Sequence, residues 1–548
     1  MNRTSMFVLL VCLAIVGQQT VILAASSAAG RTGTDTQYIS SCTVIDKPGE
    51  YVLTTDIESD ADHCLDIRAN GATISGEGHE IVGPTPDSEL VGVFINTSNV
   101  SVENLAVRNW GYGVVLYETT DSTLDGVSVS TTNVGVRALR TIRTTLRDVS
   151  VSESSIDGVH LESNDRTRVI DTRITESEKT GLFLQNSSST TVRKVVSRGN
   201  EFGVELEYSD RTHIRESTIE NNREHGFVQT YSNDVTLSNN VLEDNGNNGI
   251  YIRLSERAVV RNGTVRKNGD AGIAASNVGN STVMDTRVTG NEIGISVLES
   301  SVVYLGENRV RGNDDEGILL DRSTGSLVRE NVVMDNEDGI FLQEANGNTL
   351  RRNAVHRNEF TGLLLNRALN NTVLGTSAKN NTDGIVGVEV ESVVFAKTTA
   401  TENRESGMTL LRSNENEIRN STANKNGEAG IVLERSERTR LIDDTANSNG
   451  NDGILLNQAG YNELVRVNAV NNPKGVWLRF AGPNRLIGPV FVENQYGIVL
   501  LESGENRIVN SVFKRNTENV RRIRSSGNRF TTGCYRTDGG ASRFCDTR

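Results

Sequence analysis

The chain has 548 residues, of which 36% are hydrophobic, 5% aromatic and 23% charged, and its formal net charge is −14. So few apolar residues argue against one compact globule of this length, and an acidic chain without a basic tract argues against a nucleic-acid partner. Arginine far outnumbers lysine among the basic residues, which suggests a halophilic source.

The chain begins with the pattern of a secretory signal. A Met-Asn-Arg start precedes an almost wholly apolar run over residues 7–17, and small residues follow up to Ala29. We predict a signal peptide over residues 1–29 and an extracytoplasmic location. The alternative is a retained anchor, although the apolar run is short for a membrane span. No other segment is apolar enough to cross a membrane.

Residues 30–70 are predicted to cap the N-terminal end of a repeat array. They contain Cys42, the stretch Pro-Gly-Glu-Tyr-Val-Leu over 48–53, and Cys64 followed by Leu-Asp-Ile. A solenoid needs such a cap, because its first repeat would otherwise expose an unpaired edge.

From residue 71 onward the chain is dominated by a glycine that recurs every 21 to 23 residues. Each one opens a short apolar run, such as Gly-Ile-Phe-Leu at residue 339. A fixed period of this size indicates a solenoid. The series is Gly92, Gly113, Gly135, Gly158, Gly181, Gly203, Gly226, Gly249, Gly272, Gly294, Gly317, Gly339, Gly362, Gly384, Gly407, Gly430, Gly453, Gly475 and Gly497.

An asparagine precedes most of these glycines by three or four residues, from Asn200 to Asn494, and the series ends at Asn516. Asparagine tolerates left-handed backbone, and its amide can hydrogen-bond along a stack of like residues. Glycine and asparagine at this frequency would break a helical repeat. The asparagine series therefore favours a β-solenoid with one such turn in each coil.

Each coil is predicted to hold three short strands. In residues 226–248 these are Gly-Phe-Val-Gln, Asp-Val-Thr-Leu and Asn-Asn-Val-Leu-Glu, in which apolar and polar residues alternate. We predict an all-β fold over residues 71–528: a single right-handed parallel β-helix of about 21 coils, each of 22–23 residues. At about 4.8 Å per coil the rod would be roughly 100 Å long.

Residues 529–548 are predicted to form a C-terminal cap closed by a disulfide. The four cysteines that follow the predicted signal permit three pairings, and a rod of this length holds its two ends far beyond disulfide distance. The expected pairs are Cys42–Cys64 and Cys534–Cys545, each of which would close one cap.

The N-terminal motif and the repeats together resemble exported archaeal and bacterial β-helix proteins grouped with the NosD-type family. The motif runs from Cys42 through residues 48–53 and Cys64 to the stretch Ile-Ser-Gly-Glu-Gly-His-Glu-Ile-Val-Gly over 74–83. The repeats also resemble those of carbohydrate-binding and sugar-hydrolase proteins. This resemblance implies either periplasmic assistance in copper-site maturation of nitrous-oxide reductase or action on acidic polysaccharides, and fold alone does not choose between them.

Neither implied chemistry has its usual residues in this chain. Copper sites favour methionine, cysteine and histidine, but no His-x-His, Met-x-x-Met or Cys-x-x-Cys motif occurs. Gly-His-Gly and Tyr-Gly-x-Asp-Pro-His, which the polygalacturonase and alginate-epimerase resemblances would require, are also absent. We expect no copper site and favour binding over catalysis; an activity would be that of a polysaccharide lyase, epimerase or glycoside hydrolase.

The strand that each glycine opens is predicted to present a binding surface. The first and third residues after the glycine are aliphatic and should point inward, so the second and fourth should point outward. The column of second residues is rich in apolar side chains, among them Phe183, Tyr251, Phe341 and Trp477. Exposed apolar stripes mark binding surfaces. The alternatives to a binding role are that a loop, a lipid or a second protomer covers this column, or that its apolar residues are present only because they favour β structure.

Polar residues concentrate in six of these strands, between residues 135 and 253. The candidate catalytic groups are His160, Glu162, Glu205 and Glu207. The candidate ligand contacts are Arg137, Phe183, Gln185, Tyr251 and Arg253, with Phe341 and Trp477 further along. A histidine among carboxylates can transfer protons while an arginine holds a sugar carboxylate. Alternatively, the glutamates bind calcium, or the set is a solvated charged face.

Three functions remain open on the sequence. The first is an exported rod that binds an extended, acidic polysaccharide on this surface. The second is a NosD-type accessory that docks a copper-handling partner. The third is a structural cell-envelope or adhesin rod.

Overall fold

The computed structural model describes residues 36–531, and these contain strands and turns but no helix. The predicted signal over residues 1–29, the pair Cys534–Cys545 and most of the predicted C-terminal cap lie outside the described residues. The described chain forms a parallel β-solenoid of about 21 turns. The all-β prediction with three strands in each coil is confirmed.

Strands pair in parallel with the equivalent strands of adjacent coils, which produces three long sheets; the third is reduced to isolated bridges at Thr445. In residues 226–248 the three strands are Phe227–Thr230, Thr236–Ser238 and Val241–Glu243, in agreement with the three predicted segments. We call the sheets, in the order of the strands within a coil, the glycine-strand sheet, the second sheet and the third sheet.

The glycine-strand sheet contains Thr43–Ile45, His63–Ile67, Val91–Ile95, Tyr112–Tyr117, Val134–Leu139, Val159–Glu162, Thr180–Gln185, Phe202–Glu207, Phe227–Thr230, Ile250–Arg253, Ile273–Ser276, Ile295–Leu298, Ile318–Asp321, Ile340–Gln343, Thr361–Asn366, Asp383–Val388, Met408–Leu411, Ile431–Glu434, Asp452–Asn457, Lys474–Arg479, Tyr496–Leu501 and Glu518–Ile523. The second sheet contains Gln37–Ile39, Gly49–Leu53, Ala72–Ser75, Ser101–Glu103, Thr123–Asp125, Thr145–Arg147, Arg168–Ile170, Thr191–Arg193, His213–Arg215, Thr236–Ser238, Val259–Arg261, Thr282–Met284, Tyr304–Gly306, Leu327–Arg329, Thr349–Arg351, Thr372–Leu374, Val394–Ala396, Glu417–Arg419, Arg440–Ile442, Glu463–Val465, Arg485–Ile487, Arg507–Val509 and Arg529–Thr531. The third sheet contains Ile57–Glu58, Glu80–Val82, Ala106–Arg108, Ser128–Thr132, Ser150–Ser154, Arg173–Thr175, Val196–Arg198, Thr218–Glu220, Val241–Glu243, Thr264–Arg266, Arg287–Thr289, Arg309–Arg311, Val332–Met334, Ala354–His356, Ser377–Lys379, Thr399–Thr401 and Thr422–Asn424, and continues as Asn468–Val470, Val490–Val492 and Val512–Lys514.

The core is one narrow column inside the three sheets. In the coil at 226–248 it is filled by Phe227, Leu237 and Leu242, one from each strand and all almost fully buried. Each such side chain contributes roughly 1.5–3 kcal/mol by leaving water. Because every coil needs only a few apolar residues, the low hydrophobic content of the chain is sufficient for this fold.

The glycine at the start of each glycine strand is required by close packing. A Cβ on Gly158 would lie 2.3 Å from Ile174 Cγ2 and 2.8 Å from the carbonyl oxygen of Gly181. At Gly339 the nearest atom, Val355 Cγ1, would be 2.2 Å away. No larger residue fits where the strand passes so near the third sheet.

The asparagines form a buried ladder along the rod. The Nδ2 of Asn313 donates to Oδ1 of Asn336 at 2.9 Å, and its own Oδ1 accepts the backbone N–H of Asn291 at 3.1 Å. Only 3% of Asn313 is exposed. The predicted amide stacking is therefore present, but the left-handed residue is the one before the asparagine, Gly312 at φ +62° in this coil.

The N-terminal cysteines form the predicted Cys42–Cys64 disulfide, whose Cα atoms are 4.3 Å apart. The two residues occupy adjacent coils, since parallel pairing begins before residue 71 with Gln37–Ile39 beside Gly49–Leu53. The division of the chain at residues 70 and 528 remains a prediction. Within residues 36–531 there is no helix that is long and apolar enough to cross a membrane.

Candidate functional site

The outward side of the glycine-strand sheet, here called the glycine-strand face, has three columns of side chains. In the strand Tyr112–Tyr117, Gly113, Val114 and Leu116 are buried, whereas Tyr112, Val115 and Tyr117 are half-buried. The glycine and the residue after it therefore both point inward, which breaks the simple alternation. As a result the residue before the glycine points outward, together with the second and fourth residues after it.

The two predicted columns are in register. In the column of second residues, Cα partners run through Arg137, His160, Phe183, Glu205, Val228 and Tyr251. The column of fourth residues runs through Leu139, Glu162, Gln185, Glu207, Thr230 and Arg253. The structure thus brings the predicted cluster together over six strands.

Phe341 and Trp477 occupy the same column but lie outside this cluster. Phe341 is four coils beyond Tyr251, and Trp477 is ten coils beyond it. At about 4.8 Å per coil these separations are roughly 19 and 48 Å, too far for one sugar-binding site.

The column of second residues is less exposed than an open apolar stripe. It points outward as predicted, but every member from Phe94 to Val499 is half-buried or buried, with Val228 at 6% and Val432 at 7% exposure. Neighbouring side chains stand one strand spacing apart and cover each other's flanks. These side chains are therefore only partly available to a ligand.

His160 is held by Asp157, the residue before Gly158. The His160 Nδ1 lies 3.2 Å from Asp157 Oδ2, and the two side chains are only 17% and 8% exposed. The other ring nitrogen, Nε2, is buried without a hydrogen-bond partner. Above this pair, Arg137 Nη2 donates to Glu162 Oε2 at 2.9 Å. Arg137 and Glu162 therefore neutralise each other.

The two remaining glutamates differ in environment. Burial raises the pKa of the Glu205 carboxyl above its usual range, and a hydrogen bond from the Thr180 hydroxyl, at 3.1 Å, partly opposes this. Glu207 accepts a hydrogen bond from Gln185 Nε2 at 3.2 Å. Burial therefore favours the protonated form of the Glu205 carboxyl.

Aromatic rings continue across the cluster. The His160 and Phe183 rings are 4.8 Å apart, those of Phe202 and His225 5.9 Å, and those of His225 and Tyr251 5.3 Å. Burial lowers the pKa of His225, so its imidazole is neutral at neutral pH. The rings form a broken row of apolar contacts between the polar groups.

A pair of exposed tyrosines flanks the cluster. Tyr208 and Tyr231 directly follow the glycine strands, and their rings stack 5.0 Å apart at an angle of 4°. Their exposed fractions are 50% and 44%, and both adopt left-handed backbone, with φ of 49° and 48°. The same turn is left-handed in neighbouring coils, as at Asn186 and Leu254, so this backbone conformation belongs to the fold and the exposed stacking is what sets the two tyrosines apart.

Sequence reasoning missed two groups of residues at this site. The first group directly precedes the glycines, and the break in alternation prevented its outward orientation from being predicted. Its members are Asp157, Thr180, Phe202 and His225. Tyr208 and Tyr231 follow the predicted strands. Their signal was present in the sequence as two aromatic residues 23 positions apart, directly after the column of fourth residues.

Metal ligands do not converge in this part of the chain. Among residues 36–531 no group of three or more histidine, cysteine, aspartate or glutamate side chains could hold a metal ion. Of the three glutamates considered for calcium, Glu162 binds Arg137 and Glu207 binds Gln185.

Two overlapping segments, residues 91–242 and 225–378, match the family model described as right handed beta helix region. Together they cover more than half of the chain. The chain belongs to the right-handed β-helix family. Within this β-helix, residues 361–539 also match the model described as periplasmic copper-binding protein (NosD).

The donor set in the NosD-matched segment does not fit copper. Residues 361–539 contain no histidine and a single methionine, Met408, whose side chain is buried in the core. Their one cysteine, Cys534, lies outside the described residues. Copper sites are built from imidazole, thiolate and thioether ligands, so no copper chemistry is derived from these residues.

Several solved structures align with parts of this chain at low identity and low TM-score. Pectate lyase Pel9A has a TM-score of 0.31 and 14% identity over 43% of this chain and 68% of that chain. The catalytic domain of a GH87 α-1,3-glucanase has a TM-score of 0.30 and 12% identity over 48% and 60%. The periplasmic alginate epimerase AlgG has a TM-score of 0.24 and 12% identity over 79% and 77%. No curated protein matches this β-helix protein.

Proposed function

We propose that this β-helix protein is exported and binds an extended polysaccharide along the glycine-strand face between residues 112 and 253. The observation that carries the proposal is the exposed Tyr208–Tyr231 pair, stacked at left-handed positions beside the half-buried cluster. Stacked rings that are about half exposed at the surface, with no core to fill, point to a ligand.

The geometry suits sugar recognition. Aromatic faces bind the apolar faces of sugar rings, and carboxylates and amides accept and donate hydrogen bonds to hydroxyl groups. Both kinds of group lie on the glycine-strand face, as Tyr251 beside Arg253 and Phe183 beside Gln185. A flat face that runs along a rod also fits a linear polymer better than a compact molecule.

Export agrees with two observations on this chain. The Cys42–Cys64 disulfide is typical of oxidising compartments outside the cytoplasm. The NosD model matched by residues 361–539 describes a periplasmic protein. The predicted signal over residues 1–29 stays a prediction.

The test is binding of the purified chain to neutral and acidic polysaccharides, measured by calorimetry. Phe183→Ala and Tyr251→Ala should each weaken binding by roughly 1–3 kcal/mol through lost ring contact. Tyr208→Ala should do the same, while Phe360→Ala, at a 49% exposed aromatic residue outside the cluster, should have no effect. Wild-type affinity in the Phe183, Tyr251 and Tyr208 variants would refute the site.

A second candidate function is acid–base chemistry on a uronate. It is favoured by the Asp157–His160 pair, in which the His160 Nε2 has no hydrogen-bond partner among the described residues, and by the raised pKa of Glu205. An unsaturated or epimerised uronate product, formed by the wild type and lost in His160→Ala with unchanged circular dichroism, would establish catalysis. Sugar binding without any product would restrict the face to recognition.

A further inference from the structure

A second cluster lies at the far end of the glycine-strand face. Its members are Lys474, Trp477, Arg479, Tyr496 and Arg521, which we call the C-terminal cationic cluster. Lys474 is in register with Tyr496 in the next strand. Trp477 is in register with Val499, which is in register with Arg521 one strand further. The five side chains thus occupy three consecutive strands of one face.

The arginines of this cluster combine two properties, exposure without an ion pair and contact with an aromatic ring. Many arginines of other coils instead bind carboxylates of an adjacent coil, as in Arg143–Asp121, Arg257–Asp234 and Arg466–Asp443. Arg479 and Arg521 are exposed, and within residues 36–531 neither has a carboxylate partner. In a chain with a net charge of −14, these two guanidinium groups place positive charge on this face, where Glu518, in register with Tyr496, adds a nearby carboxylate.

Aromatic rings hold these cations in place. Lys474 Nζ and the Arg479 guanidinium lie 4.5 and 5.7 Å from the centre of the Trp477 ring. The Arg521 guanidinium lies 4.9 Å from the Tyr496 ring and also donates to the Tyr496 hydroxyl. Cation–π contacts orient a guanidinium while leaving its N–H groups free for a ligand.

One further donor in the cluster is unused. The Nε1 of Trp477 is buried and has no hydrogen-bond partner within the described chain. Lys474, by contrast, is neutralised by the buried Asp452, whose Oδ1 lies 2.8 Å from its Nζ. The free binding capacity of the cluster therefore belongs to Arg479, Arg521 and the Trp477 ring.

We propose that the C-terminal cationic cluster binds the carboxylate groups of an anionic polysaccharide. The two guanidinium groups would bind uronate carboxylates, since their planar forks match carboxylate geometry, and the Trp477 ring would contact the sugar. In the cluster between residues 135 and 253, Arg137 is already bound to Glu162, and the Arg253 Nε donates to the Thr230 hydroxyl. This inference rests on the proposed function for the nature of the polymer, but it uses different residues.

The experiment compares polygalacturonate with the same polymer after methyl esterification, which removes the charges and keeps the chain. Arg479→Gln and Arg521→Gln should each weaken binding of polygalacturonate by about fivefold or more, because each loses a charged hydrogen bond. Binding of the esterified polymer should be unchanged in both variants. Arg507→Gln, at an exposed arginine of the second sheet in the same part of the rod, controls for net charge.

The outcomes separate this inference from the proposed function. If Arg479→Gln and Arg521→Gln bind polygalacturonate as the wild type does, or if Arg507→Gln weakens it equally, the cluster is not the carboxylate site. If Phe183→Ala leaves both polymers bound while the arginine variants lose polygalacturonate, the proposed site fails and this one stands. Binding of neither polymer by the wild type would contradict both.

Discussion

Replacing Asp444 by asparagine should stabilise the rod at neutral pH and do little in acid. Asp444 is fully buried in the turn between the second and third sheets, where its Oδ1 accepts the backbone N–H of Ser421 at 2.7 Å and its Oδ2 has no partner. Equivalent turn positions in earlier coils hold asparagine, as at Asn308, whose Nδ2 donates to the Val283 carbonyl at 2.9 Å. An amide therefore fits this turn.

The magnitude follows from the pKa of Asp444, which burial raises to about 7. Against an ordinary aspartate pKa near 3.9, this is about three pH units, or a ceiling of about 4 kcal/mol for ionising the buried group. Between the two pKa values the folded state holds a proton that the unfolded chain has lost. Stability from this group is therefore present below about pH 4 and decreases as the pH rises to about 7.

The assay is urea unfolding followed by β-sheet circular dichroism, near pH 8 and near pH 4. Asp444→Asn should raise the stability by about 2–4 kcal/mol near pH 8 and leave it nearly unchanged near pH 4. Asp443→Asn is the matched control, because Arg466 binds Asp443 at 2.6 Å and lowers its pKa, so the same charge change should bring no gain. A destabilised Asp444→Asn near pH 8, or an equal gain at both pH values, would refute the reasoning.

Three further substitutions test how the coils hold together. Asn313→Leu should cost about 1–3 kcal/mol in urea unfolding, because Asn291 and Asn336 lose buried hydrogen bonds; an unchanged stability would mean that the ladder contributes nothing. Gly339→Ala should cost about 1–3 kcal/mol or more by overpacking, whereas Gly347→Ala, which meets no atom within 4 Å, should show only the smaller strain of its left-handed backbone. Cys42→Ser should expose the first coils to proteolysis and leave coils beyond residue 112 protected, since repeats unfold locally; loss of the whole rod would contradict this.

The fold could be predicted because one physical requirement repeats in every coil. Glycine recurs where a Cβ would collide with the third sheet, and asparagine recurs where a buried amide bridges two coils. These constraints are local and periodic, so they fix both the period and the register. The register in turn placed Arg137, His160, Phe183 and Glu205 correctly in one column.

The site was only partly predictable, because it depends on the orientation, conformation and stacking of individual side chains, which the repeat period does not determine. The glycine and the residue after it both point inward. The residue before the glycine therefore points outward, and alternation could not place Asp157 and His225. Pairing of Arg137 with Glu162 and of His160 with Asp157 depends on side-chain conformation, which spacing does not specify. The partial burial of the outward column results from stacking between coils, which no single strand reveals.

The measurement that tests the central claim most directly is oxidative footprinting of aromatic side chains with and without saturating polysaccharide. The claim is that the ligand lies on the glycine-strand face over the cluster between residues 135 and 253. Ligand should lower the modification of Phe183, Tyr208, Tyr231 and Tyr251, while Phe360, at 49% exposure outside the cluster, should be modified equally in both states. Unchanged modification of the four cluster residues by a polysaccharide that demonstrably binds would contradict the account.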